Sequence, residues 1–184
     1  MHECPKPRRP NSSATVVARR CAFHANSVLR ETKSGFDALA RECSWSLSFP
    51  ILDSNACIAL INGKPSAVRG KFQKAIESGA EVNVSTVVAF ELWYGVAKSQ
   101  HQEVNAERLD TFLAGPIRLM AFEEEDARTA GTIRAELEAA GRPIGAYDLL
   151  IAGQAVRHKV TLVTANEKEF ARVQGLIWED WAKS

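Results

Sequence analysis

From residue 47 onward, short apolar runs alternate with longer stretches of helical repeat. "LSFPILD" (47–53) reads as a buried strand that ends on a carboxylate, and a helix follows over 55–62. Gly63 and Pro65 break the chain before a second helix over 66–78. "EVNVS" (81–85) alternates like a strand, Thr86 opens a helix that runs to Ser99, and another helix spans 102–114. "IRLMAF" (117–122) predicts a strand, and "EEEDARTAGTIRAELEAAG" (123–141) predicts a long solvated helix stopped by Gly141. The segment 146–158 is apolar almost all round and is therefore expected to be buried. A strand over 160–165, a short helix over 167–173 and a last strand over 175–181 complete the series.

Strands separated by helices imply an α/β fold with a central parallel sheet, helices on both faces and right-handed crossovers. Functional sites in such sheets form beyond the carboxyl ends of the strands. Asp53 sits at one such end. The second strand ends at Ser85 on the same edge, and Glu91 follows five residues into its helix, about 7 Å along the axis. The helix 146–158 precedes a strand, so it runs antiparallel to the sheet and carries Asp148 in its first turn at that edge. "VTLVTA" (160–165) delivers Thr164, then Asn166 and Glu169, to the same rim.

Each carboxylate has a plainer use. Asp148 favours a helix dipole, Asp53 suits an Asx turn, and a helical glutamate is usually solvated. Glu91, however, has Val87, Val88, Phe90, Leu92 and Trp93 around it, which leaves little polar face. "EEED" (123–126) reads as a solvated helix start. The joint arrangement is more telling, because several carboxylates in one concavity repel unless a cation neutralises them. Oxygen donors without His or Cys select a hard ion, Mg²⁺ or Mn²⁺. Such an ion suits hydrolysis of a phosphodiester. His2, His24, His101 and His158 fall outside these segments, which disfavours a histidine-based nuclease or hydrolase triad.

Composition adds a division along the chain. Among 184 residues the net charge is +1, but residues 1–50 carry +4 and residues 51–184 carry −3. The first part is rich in Pro, Ser, Arg and Ala and shows no sustained period before "SGFDALAREC" (34–43), where Ser34 and Asp37 suit a capping box. Residues 1–46 are therefore expected to be a disordered extension, or to lie upstream of the true start, and residues 47–184 to form one domain. No apolar stretch approaches a membrane span. Cys4, Cys21, Cys43 and Cys57 form no CxxC pair, so reduced thiols in a cytoplasm are expected.

"FPILDSNACIALI", "VSTVVAFELWYGVAKS", "GRPIGAYDLLIAGQA" and "TLVTANEKEFARV", in this order and spacing, resemble PIN-domain ribonucleases. Within them they resemble the VapC toxins of type II toxin–antitoxin modules, in the branch named as initiator-tRNA-specific endonucleases. The resemblance covers roughly 49–181. It implies a PIN-like three-layer α/β/α sandwich, Mg²⁺-dependent endoribonuclease activity in which Mn²⁺ substitutes, a homodimer, and a cognate VapB-type antitoxin. Matched residue by residue, the family's metal-binding acids fall on Asp53, Glu91 and Asp148. Ser54 stands where threonine is usual, and Asn166 stands at the fourth acidic position, with Glu169 the nearest replacement. Asn166 is expected to position water, with Glu169, Ser54 and Thr164 in support.

An acidic domain gains little from phosphate neutralisation. Lys64, Arg69, Lys71 and Lys74 are the first candidates for RNA contact, followed by Arg134, Arg142, Arg157 and Lys159. Trp93 and Tyr94 are expected to pack in the core or a dimer interface more than to stack on bases. The reading is an endoribonuclease toxin acting on RNA such as initiator tRNA. The alternative is a non-catalytic PIN-like module that binds RNA or a partner. A receiver or phosphatase built on Asp53 is disfavoured, because "DSN" lacks the paired aspartate of "DxD".

Overall fold

A computed structural model of the chain describes residues 49–183. The expected extension over 1–46 and its capping-box helix lie outside the described residues. Pro50 has no N–H to donate, so the first strand, β1, is only Ile51–Leu52, shorter than the 47–53 run suggested. Both its residues are fully buried, as a strand covered on both faces requires. The helix α1 (Ser54–Asn62) follows at once and ends at Gly63, whose φ of 69° is left-handed backbone that favours glycine. Then come α2 (Ser66–Glu77), β2 (Val82–Ser85), α3 (Thr86–Ala97), α4 (Gln102–Leu113) and β3 (Ile117–Met120). The remainder is α5 (Glu124–Ala139), α6 (Ala146–His158), β4 (Leu162–Val163), α7 (Glu167–Phe170) and β5 (Trp178–Glu179).

The five strands form one parallel sheet in the order β3-β2-β1-β4-β5. Leu52 pairs with Val84 on one side and Val163 on the other. The chain therefore steps outward from β1 to β3, then returns across it to β4. With right-handed crossovers this puts α1–α4 on one face and α5–α7 on the other. The reversal between β1 and β4 opens a crevice at their carboxyl ends, where open α/β sheets bind ligands.

The layer of α5 and α6 fixes where the end of α6 points. Gly153 of α6 meets Ala130 of α5 so closely that a β-carbon at 153 would lie 2.6 Å from the Ala130 β-carbon. The next residue, Gln154, is fully buried and its Nε2 donates to the Ala121 carbonyl at 2.7 Å and to Asp126 Oδ2 at 3.2 Å. Arg157 donates to Asp126 Oδ1 and to Glu123 Oε2, both at 3.1 Å. Asp126 was expected on a solvated face with its acidic neighbours. It is instead fully buried, because it closes the capping box with Glu123 and takes the Gln154 and Arg157 donors. Of the two places expected for Trp93 and Tyr94 of α3, the core is not theirs: they are 39% and 56% exposed, and a dimer interface is the alternative left open. The helix turns Val88, Ala89 and Leu92 inward, and its apolar composition leaves aromatic residues facing out.

Candidate active site

Asp53 occupies the turn between β1 and α1 and is only 3% exposed. Its backbone N–H donates to the Val163 carbonyl at 2.9 Å, which ties it to β4. Its Oδ1 accepts from the Ser54 N–H at 2.6 Å, capping α1, and its Oδ2 accepts from Thr164 Oγ1 at 2.7 Å. Burial pushes its carboxyl above the ordinary range, and the Thr164, Ser54 and Asn55 hydrogen bonds pull against that. Thr164 is itself held, since its Oγ1 accepts from the Asn166 N–H at 2.9 Å.

Ser54 turns to a second acid: its Oγ donates to Glu91 Oε2 at 2.5 Å. Glu91 lies on α3, whose start is fixed by Ser85 Oγ accepting from the Val87 N–H at 3.1 Å. A glutamate reaches from α3 to the residue beside Asp53, as its length allows. The third acid, Asp148, is half-buried in the first turn of α6, and its Oδ2 lies 3.5 Å from Asn166 Nδ2.

Glu169 completes the group through a contact that sequence reasoning missed. Its Oε2 accepts from the Gly145 N–H at 2.9 Å. Gly145 has another role, because a β-carbon there would sit 2.9 Å from Asp148 Oδ2 and 3.7 Å from Glu169 Oε2. A glycine immediately before a helix is common enough to carry no sign of this. The two facing carboxylates then divide in behaviour. Burial, the facing Glu169 and the charges of Asp53 and Glu91 raise the Asp148 carboxyl to about 7. The Gly145 N–H and Asp148 hold Glu169 below its ordinary value.

These shifts predict a pH dependence. In the metal-free protein Asp148 keeps its proton between its unfolded value of 3.8 and about 7, where the unfolded chain has released it. Its contribution to stability is therefore full below pH 3.8 and lost as pH rises toward 7. Glu169 acts in the opposite sense and only on the acid side, below its unfolded value of 4.5. Thermal midpoints measured in chelator from pH 5 to pH 8 should fall, and Asp148→Asn should flatten that decline. An unchanged slope in the variant would show that Asp148 is not the responsible group.

The structure thus brings Asp53, Glu91, Asp148, Asn166, Glu169, Ser54 and Thr164 to one rim. Among the described residues the basic candidates take no part in these hydrogen bonds. Lys64 shares a cavity of about 240 Å³ with Asn55 and Thr164. Arg69 packs beside Gly63, Lys71 donates to the Lys183 carbonyl at 2.9 Å, and Lys74 is in the last turn of α2. Arg134 and Arg157 are engaged with Glu138 and with Asp126 and Glu123.

The acidic rim suits a divalent ion. Every donor is an oxygen, the carboxylates raise one another's affinity for a positive charge, and the missing side chain at Gly145 leaves space against Asp148. Among the described residues no three acidic, histidine or cysteine side chains close into a cage that could hold an ion unaided.

Comparisons with known proteins agree with this architecture. A relative from Shigella flexneri, named tRNA(fMet)-specific endonuclease VapC, is 40% identical over 132 residues, covering 72% of this chain and 97% of its own length. The crystal structure of VapBC2 from Rickettsia felis, bound to a DNA fragment from their promoter, matches with a TM-score of 0.67 and 36% identity. The match covers 71% of this chain and 97% of that one. DNA-bound VapBC from Salmonella typhimurium matches with a TM-score of 0.67 and 34% identity, over 73% of this chain and 99% of that one. The PIN domain family model spans residues 51–176, from the first residue of β1 to just before β5, and with these relatives it shows that the chain belongs to the PIN-domain family.

Proposed function

We propose that this protein is a metal-dependent endoribonuclease that hydrolyses RNA phosphodiester bonds and serves as the toxin of a type II toxin–antitoxin pair. The observation that carries the reading is the meeting of Asp53, Glu91 and Asp148 at the sheet's switch point, oriented by Thr164, Ser54 and Asn166. Asp53 and Asp148 would hold Mg²⁺, or Mn²⁺ in its place, with Glu91 directly or through water. The ion would supply charge neutralisation at the phosphate and a more acidic water.

Around it the protein's own groups set the geometry. Thr164, the Ser54 N–H and Asn55 hydrogen-bond the Asp53 carboxylate and fix its orientation. Ser54 fixes the reach of Glu91. Asn166 orients the attacking water, and Glu169, pinned by Gly145, supplies the fourth carboxylate that Asn166 does not. Lys64, Arg69, Lys71 and Lys74 contact the RNA away from the reacting bond.

The relatives' names supply the substrate class, tRNA with the initiator as first choice, and the solved complexes supply the partner class, a VapB-type antitoxin. A homodimer is the proposed assembly. Among the described residues no helix is long and apolar enough to cross a membrane. Since its substrate is intracellular RNA, the proposed place of action is the cytoplasm.

The test is cleavage by purified protein free of antitoxin, with 5′-end sequencing of the products of a total tRNA pool. Cleavage at a defined position should appear with Mg²⁺ or Mn²⁺ and stop in chelator. Intact RNA throughout, from folded protein in Mn²⁺, would leave only a non-catalytic binding module.

A further inference from the structure

We propose that Phe90 and Tyr147 form a stacking platform for a nucleobase flanking the scissile phosphate. The proposal rests on the nuclease reading above and deepens it. Each ring belongs to the residue immediately before a carboxylate of the site, Phe90 before Glu91 on α3 and Tyr147 before Asp148 on α6. The two rings meet across the helices with centroids 5.5 Å apart and planes inclined at 53°. Neither is part of the core: Phe90 is 51% exposed and Tyr147 46%. The row continues along α3, where Tyr94 lies 6.4 Å from Phe90 with planes within 17° of parallel. It ends on a cation, with Lys98 Nζ 5.2 Å from the Tyr94 ring centroid.

A line of half-exposed aromatic rings that starts beside two acids and ends on an ammonium group matches a single strand of RNA. Bases offer π-faces to the rings, and a phosphate further along meets Lys98. The match also answers a difficulty of charge. Residues 51–184 carry a net −3, so phosphate neutralisation is a weak source of affinity, and stacking on unpaired bases must supply more of it. Packing against a second copy of the chain would cover the same rings, but it gives no reason for them to adjoin the carboxylates.

The experiment uses the RNA that the native protein cleaves, remade with single abasic positions on either side of the cut. Phe90→Ala and Tyr147→Ala should each lower kcat/KM by about tenfold, chiefly through KM, with unchanged circular dichroism and thermal midpoint. One abasic position should slow the native protein by a similar factor and leave the alanine variants no slower than they already are. Tyr147→Trp should restore the difference. An equal abasic penalty in native and variant proteins would overturn the platform while leaving the nuclease reading intact. So would a loss of activity that tracks a dimer-to-monomer shift in sedimentation, which would assign the face to a second copy. No RNA cleavage by the native protein would remove the nuclease reading first and this proposal with it.

Discussion

Asp53→Asn is expected to abolish RNA cleavage while the protein stays folded. The side chain is buried, and its two oxygens accept from the Ser54 N–H and from Thr164 Oγ1. Asparagine has the same shape and remains a good helix cap, so α1 keeps its start. Its amide can donate to Thr164 Oγ1, which already accepts from the Asn166 N–H, but the buried Thr164 proton then loses its acceptor. What disappears is the negative charge. An ion's stabilisation of charge in the transition state is worth several kcal/mol, and each 1.36 kcal/mol is tenfold in rate, so a loss on the order of a thousandfold or more follows. Removal of a buried charge and loss of the Thr164 acceptor act in opposite directions, so the thermal midpoint of the metal-free protein should stay close to the native one. Single-turnover cleavage and a melting curve read both effects, and growth arrest on induction should vanish with the first. Full cleavage by this variant would remove Asp53 from the chemistry.

Gly153→Ala is expected to destabilise the protein, although the exchange is favourable on helix propensity. Alanine in a helix interior gains about 1 kcal/mol over glycine. Here the added β-carbon would lie 2.6 Å from the Ala130 β-carbon, 2.7 Å from its nitrogen and 2.8 Å from its α-carbon. Two of these are backbone atoms, so α5 and α6 have to separate rather than repack. Overpacking typically costs about 1–3 kcal/mol, and contacts this close belong at or beyond the upper end. The net loss is about 2 kcal/mol, readable by urea unfolding. Adding Ala130→Gly should recover only part of it, because the backbone contacts remain. Cleavage should fall more than stability explains, since separation of the two helices displaces Asp148 at the far end of α6. A variant as stable as the native protein would mean that the helices are not packed this closely.

The fold was legible wherever pattern and topology act together. The segment 146–158 is apolar on nearly every face because α6 is covered by α5 and the sheet, and Ala146–His158 matches the expected helix. The expectation that Asp53, Glu91 and Asp148 share one edge followed from the directions of strands and helices, without any contact being known. Strand lengths were not legible. β1, β4 and β5 are two-residue ladders, because pairing depends on where neighbours begin and on the missing N–H of Pro50. Asp126 was misread because burial of an acid depends on Gln154 and Arg157, 28 and 31 residues further along. The sequence pattern did not separate core from interface for Trp93 and Tyr94, because α3 carries more apolar surface than the core accepts. Gly145 left no sign, since its role is the room it leaves for Asp148 and an N–H offered to Glu169, and neither is a side chain.

The bond from Thr164 to Asp53 joins residues 111 apart, and β4 inserts beside β1 only after most of the chain has been made. A nascent polypeptide that stops short of residue 161 has its first acid but neither the strand beside it nor the hydroxyl that orients it. Such a fragment is expected not to cleave RNA. On the proposed function, the order of translation then withholds activity until the last eighth of the chain is being synthesised, a delay that comes from topology rather than from any inhibitor.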